Sequence, residues 1–283
     1  MRLFPFALLL SALAGPLMAQ SLPSEQRAVA LGGLRPLASA DAAEAWTGVG
    51  RLDTGHSFCS ATLISERLVL TAAHCLFHAE TAARFPDDAL TFQSGLRNGR
   101  PEALRGVRRS FVPEAYTFDL SPAFDGISHD MALLELELPI RSNGIAPIGT
   151  GRRAGRGDAV TVVSYGADRE AVASIEEGCL VLESHAAVRM LSCNVNQGSS
   201  GAPVMRMTPD GPEIVAVISA TATDRTGRDV SMAVALDGPF AGLLDQMDRG
   251  ARPGAMSGSG TGLLSPRAAD GGRSRLGARF LRP

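Results

Sequence analysis

Three short segments carry the residue types that nucleophilic catalysis needs. They are Leu70-Thr71-Ala72-Ala73-His74-Cys75, His129-Asp130-Met131-Ala132-Leu133-Leu134 and Gly198-Ser199-Ser200-Gly201-Ala202-Pro203. A serine hydroxyl is a weak nucleophile until a base takes its proton during attack. An imidazole titrating near neutrality suits that task. A carboxylate behind it fixes the tautomer and stabilises the imidazolium. Ser200 lies in a turn of small residues flanked by Gly198 and Gly201, whose backbones reach dihedrals closed to other residues and bring N–H groups to the surface. His74 ends a β-prone run beside Cys75. Asp130 opens an apolar run, where an unpaired carboxylate would be costly to bury.

Other chemistries fit these residues less well. His74 and His78 stand four apart with Cys75 between them, which is metal-ligand spacing, but there is no His-Glu-x-x-His pattern and further ligands would be needed. No metal and no cofactor is expected. A G-x-S-x-G nucleophile elbow requires glycine where Ala202 stands, and that fold puts its histidine after its serine. The last histidine here is His185, before Ser200.

The segments need a scaffold that brings distant residues together. From Trp46 onward, short β-prone runs recur between turn residues. The first series is Thr47–Leu52, Phe58–Ile64, Leu68–Thr71, Leu90–Gln93, Val107–Val112 and Met131–Leu136. The second is Ala159–Tyr165, Cys179–Leu182, Met190–Cys193, Ala202–Met207, Ile214–Ser219 and Met232–Leu236. With no long helices between them, they predict all-β packing as a sandwich or barrel. A Gly-, Pro- and Arg-rich stretch, 142–157, separates the two series and reads as a linker. Ala72–His78 reads as a short helical piece. Phe240, Leu243, Leu244 and Met247 at helical spacing predict a terminal helix over 239–247.

The ends have a different character. Arg2, an apolar stretch over Leu3–Leu17 and small residues up to Ala19 read as a secretory signal peptide, 1–19. Residues 20–44 are expected to be an arm or propeptide. The Gly-, Ser- and Arg-rich segment 249–283 is expected to be a flexible tail. Export, to periplasm or medium, makes disulfides available to the four cysteines. Three pairings are possible, and proximity within each half favours Cys59–Cys75 and Cys179–Cys193.

A chain with 45% hydrophobic and 20% charged residues reads as globular. A net charge of -2 argues for no nucleic-acid or anionic-membrane partner. All 27 basic residues are arginine. No stretch reads as a membrane span, and a monomer is expected.

Taken together, the Thr-Ala-Ala-His-Cys, Asp-Met-Ala-Leu-Leu and Gly-Ser-Ser-Gly-Ala-Pro segments, in that order, resemble the trypsin-like (chymotrypsin-fold) serine peptidases. The last is most similar to the bacterial glutamyl-endopeptidase-like branch. The resemblance runs from about Ala45 to Met247. It implies an all-β domain, 45–248, of two six-stranded antiparallel β-barrels, with barrel one at 45–147, barrel two at 158–238, and a C-terminal helix. It also implies a His74, Asp130 and Ser200 triad, an oxyanion hole from the N–H groups of Gly198 and Ser200, and a polypeptide substrate. Cys59–Cys75 corresponds to the family's histidine-loop bridge, and Cys179–Cys193 would tie the loop before the nucleophile.

The sequence departs from the family at informative positions. Trypsin places an aspartate immediately before its nucleophile to pair with a liberated N-terminus. Here that residue is Ser199, and Ala30-Leu31-Gly32-Gly33 only loosely echoes the usual start. Trypsin's pocket aspartate corresponds to Asn194. The histidine that the glutamyl branch places after the nucleophile aligns with Ile218. An uncharged or apolar residue before the scissile bond is therefore expected, with Asn194 and Ser219 as candidate substrate contacts. The competing reading is a catalytically silent binding protein on the same fold.

Overall fold

The computed structural model describes residues 33–119, 124–237, 239–251 and 279–281. The expected signal peptide and most of the expected tail lie outside these residues.

Strands β1 (Arg35–Pro36), β2 (Val49–Asp53), β3 (Phe58–Leu63), β4 (Leu68–Thr71), β5 (Thr91–Ser94), β6 (Ala103–Phe111) and β7 (Ala132–Leu136) precede the linker. The last six close into an antiparallel barrel in the order β2-β3-β4-β7-β6-β5. Closure removes the exposed edges that would otherwise template aggregation. Thr91-Phe92-Gln93-Ser94 alternates in burial along its length, as a strand with one face on a core must. Phe92, Leu52, Leu63, Leu70, Leu133 and Leu134 are buried in the core, on one face of the sheet or the other, each at most 1% exposed. Burying each such side chain contributes about 1.5–3 kcal/mol.

The second half contains β8 (Gly149–Thr150), β9 (Ala159–Ser164), β10 (Ser174–His185), β11 (Val188–Leu191), β12 (Pro203–Thr208), β13 (Gly211–Thr223) and β14 (Asp229–Ala235). β9 pairs with both β10 and β12, so β9-β10-β11-β14-β13-β12 also forms a closed ring. All strand neighbours within the two rings are antiparallel. Both halves therefore have the expected six-stranded barrel architecture.

The differences lie mainly at strand ends. β10 is much longer than the run Cys179–Leu182. Its register shifts between Glu176 and Cys179, where Gly178 has φ +74°. A bulge there carries the strand through charged residues that break the apolar pattern. β13 extends beyond Ile214–Ser219 for a related reason: its register shifts between Ile218 and Ala220, which leaves Ser219 as the extra residue. The expected helical piece at Ala72–His78 contracts to a 3-10 turn, Ala73–Leu76.

The linker is stitched to both barrels. Ile148 N–H donates to Leu63 O, and Gly151 N–H donates to Ile214 O. The C-terminal helix, Pro239–Ala251, runs one turn past its expected end. It buries Leu243 completely and lies against barrel one, where Arg109 donates to Gly250 O at 3.0 Å. Beyond it, within the segment expected to be a tail, β15 (Arg279–Leu281) pairs with Thr221–Thr223 of β13. Within the segment expected to be an arm or propeptide, β1 pairs with β10 and Leu37 is buried. No helix among the described residues is long and apolar enough to cross a membrane.

Candidate active site

His74 lies in the 3-10 turn that ends β4, between buried Ala73 and Cys75. Cys75 is bridged to Cys59 on β3, with Cα atoms 6.1 Å apart. The bridge fixes the turn at its centre and leaves the imidazole 23% exposed. Asp130 stands just before β7, the strand paired with β4, so barrel closure delivers its carboxylate to the histidine turn.

That carboxylate reads His74 twice. Oδ1 accepts the backbone N–H of His74 at 2.8 Å, and Oδ2 lies 2.7 Å from Nδ1. A hydrogen bond from Nδ1–H leaves the lone pair on Nε2, the arrangement a general base requires. Oδ2 also accepts a short hydrogen bond from the Ser219 hydroxyl. Ser219 is the residue left over by the bulge in β13, and bulges beside functional sites commonly re-aim a side chain in this way. Asp130 is only 5% exposed, but three donors compensate for its burial.

The titration of the pair follows from these contacts. Burial alone lowers the His74 pKa, but the charge and hydrogen bond of Asp130 outweigh it and hold the imidazole above its ordinary value. Burial alone raises the Asp130 pKa. The facing imidazole, with the Ser219 hydroxyl and the His74 N–H, reverses that and holds the carboxyl below its ordinary value.

Ser200 sits on a turn between the barrels. Its carbonyl accepts from Ser60 N–H at 2.8 Å, and the Ser60 hydroxyl donates to Gly198 O at 2.9 Å. Gly201 has φ +79°, and a Cβ there would lie 2.1 Å from Thr71 Oγ1 and 2.2 Å from Ser60 O. Only glycine lets the turn come this close to the end of β4. Gly198 has φ +92°, and its Cβ would strike the Phe58 ring at 2.4 Å. The N–H groups of Ser199, Gly201 and Ala202 donate to Asn196, Ile218 and Ser199 carbonyls. Among the described residues, those of Gly198 and Ser200 have no internal acceptor.

The predicted residues thus meet as one network plus one turn. His74, Asp130 and Ser219 are hydrogen-bonded together. Ser200 is held beside them, because Gly201 bonds to Ile218 O, adjacent to Ser219. No hydrogen bond joins Ser200 to the imidazole; Nε2 lies 3.8 Å from Cys75 Sγ. Catalytic hydrogen bonds are often loose before substrate binds. Asn194 is exposed, and its backbone N–H donates to Glu176 at 2.8 Å. Cys179 and Cys193 are bridged, with Cα atoms 5.1 Å apart, which ties β10 to the segment that leads from β11 into the turn. Ligand atoms of Cys59, His74 and Cys75 cluster within 4.8 Å, but both sulfurs belong to a disulfide and offer no thiolate to a metal.

Sequence reasoning missed two residues, Glu176 and Arg169, and the side-chain role of Ser219, which it named only as a candidate substrate contact. The side-chain bond from Ser219 to Asp130 depends on a bulge that no local pattern announces. Glu176 and Arg169 grip the serine turn from β10 and from the β9–β10 loop. Neither has a sequence signal beyond its charge.

Two closed barrels, with a His–Asp pair on the first and a glycine-flanked serine turn leading into the second, define the trypsin-like, two-barrel class of protein. The trypsin-like peptidase domain profile matches residues 59–211, more than half of the chain, and the chain belongs to that family. Over 93 residues it is 30% identical to coagulation factor IX of Oryctolagus cuniculus, covering 32% of this chain and 31% of the relative. It is 25% identical over 202 residues to the lectizyme of Glossina austeni, covering 58% of this chain and 68% of the relative. The chain spans about a third of the length of the factor IX relatives it matches. A Glu endopeptidase solved in complex with MPD shares the fold, with TM-score 0.62 and 16% identity, over 76% of this chain and 96% of that one.

Proposed function

We propose that this chain is an exported serine endopeptidase that cleaves polypeptides through Ser200, His74 and Asp130. The observation that carries the reading is the doubly bonded His74–Asp130 pair beside a serine turn with two unused N–H groups. His74 Nε2 takes the Ser200 proton as Oγ attacks the peptide carbonyl. The Gly198 and Ser200 N–H groups receive the developing oxyanion. The imidazolium returns the proton to the leaving amine, and water then hydrolyses the acyl-enzyme by the same route. Two disulfides and a family of peptidases are consistent with life outside the cytoplasm.

Asn194 and Ser219 remain the candidate substrate contacts. Because the Ser219 hydroxyl is engaged by Asp130, any contact to substrate falls to its backbone. Asn194 brings no fixed charge, in keeping with an uncharged or apolar residue before the scissile bond.

A fluorophosphonate probe tests the reading. The wild-type chain should be labelled and the Ser200→Ala variant should not. Absence of labelling in the wild type, before and after any processing, would instead favour a binding protein on this fold.

A further inference from the structure

The turn that carries Ser200 is grasped from one side by the loop between β9 and β10, residues 165–173. Arg169 lies at the centre of that loop, with its side chain only 11% exposed. Its Nη2 donates to Ser199 Oγ at 3.0 Å, to Asn196 Oδ1 at 3.3 Å and to Ser164 Oγ at 3.2 Å. Its Nη1 makes a short bond to Ser164 O. One guanidinium therefore cross-links the end of β9 to two residues of the serine turn. A planar fork of donors does this better than a point charge.

Neighbouring contacts support the same attachment. Asp168 Oδ1 accepts from Asn196 Nδ2 at 2.6 Å and lies 3.7 Å from Arg169 Nε as a countercharge. Ala167 N–H donates to Gln197 O at 2.8 Å. Gly166 allows this approach, since a Cβ there would lie 2.3 Å from Asn196 Oδ1 and 2.9 Å from Arg169 Cζ. Glu176 holds the start of the segment at Asn194 N–H. Positions 194, 196, 197 and 199 are thus held from barrel two, while Ser60 of barrel one holds the carbonyls of 198 and 200.

We propose that Arg169 is a positioning residue: its guanidinium fastens the β9–β10 loop to the serine turn and so keeps the Gly198 and Ser200 N–H groups in place beside the Ser200 hydroxyl. The inference rests on the peptidase reading above. It also answers the departure at Ser199. Trypsin orders this turn with an ion pair between an aspartate and a liberated N-terminus. Here a buried hydroxyl takes the aspartate's place and the organising cation is an internal side chain.

The test compares wild type with Arg169→Met and Arg169→Lys. In a folded Arg169→Met protein, kcat on a peptide substrate should fall by about 10²-fold, the scale of a disabled oxyanion donor. KM should change little, and Arg169→Lys should be intermediate. Amide hydrogen exchange over 194–201 should accelerate in the same variant while the barrel strands stay protected. Unchanged kcat and unchanged exchange in a folded variant overturn the proposal. Should Arg169→Met fail to fold, Ser199→Ala and Asn196→Ala take its place: a fall in kcat at constant melting temperature supports the role, and wild-type kcat in both overturns it. A wild type inert to fluorophosphonate would defeat the peptidase reading, and exchange over 194–201 would still decide whether Arg169 orders the turn.

Discussion

Ser219 of barrel two donates its hydroxyl to Asp130 of barrel one, so the carboxylate behind the imidazole is held from both halves of the molecule. The bond exists because the β13 bulge leaves Ser219 outside the ladder. A neutral donor to a buried carboxylate is worth about 1.5–3 kcal/mol. Ser219→Ala should therefore destabilise the fold by that amount in urea unfolding and lower kcat. A variant as stable and as active as wild type would show the contact to be idle.

Asp130→Asn preserves shape but cannot hold the Nδ1–H tautomer. Its kcat should fall by about 10⁴-fold with a circular dichroism spectrum like that of wild type. A loss of less than tenfold would remove Asp130 from the catalytic machinery.

The pH profile has a definite sign. In the proposed mechanism the attacking step needs neutral His74, whose pKa is raised above 6.5 by Asp130 in spite of burial. The ratio kcat/KM should rise with pH through a value above 6.5, and Asp130→Asn should move that value down. For stability, the raised histidine contributes fully below about 6.5 and loses its contribution as pH rises through the folded pKa. The lowered carboxyl contributes above about 3.8 and loses its contribution as pH falls through its folded pKa. The pair should therefore stabilise most between those limits. NMR titration of the His74 ring, with unfolding measured across pH, checks both signs.

Gly201→Ala places a methyl against Thr71 Oγ1 and Ser60 O, in a backbone conformation with φ +79°. Dihedral strain alone costs about 1–3 kcal/mol, and the clash adds to it. Fluorophosphonate labelling should slow by more than tenfold as the turn backs away from β4. Labelling at the wild-type rate would refute the close approach.

The Cys59–Cys75 bridge closes a 16-residue separation around the histidine turn. Replacing both cysteines with alanine should reduce stability by about 3 kcal/mol. The loss of activity should exceed the loss of folded protein, because the same bridge holds His74. Activity that tracks only the folded fraction would confine the bridge to a structural role.

Much of this architecture was legible in the chain. Alternating and β-branched runs located the strands of both barrels, because each strand must present one face to a core. Their ends were less legible where Gly178 or the Ser219 bulge carries pairing through residues that break the apolar pattern. The motif residues were legible because their neighbours are special: glycines at Gly198 and Gly201, a cysteine beside His74, an apolar strand behind Asp130.

Residue identity alone determined which groups could serve as nucleophile, base and carboxylate, and that two short-range cysteine pairs were available. Tertiary structure decided who supports them. Ser219, Arg169, Glu176 and Ser60 are ordinary polar residues in sequence, and each reaches a partner 18 to 138 positions away. Their bonds form only because two rings of strands close and press together. Closure is a property of long-range pairing, which no local stretch of chain encodes.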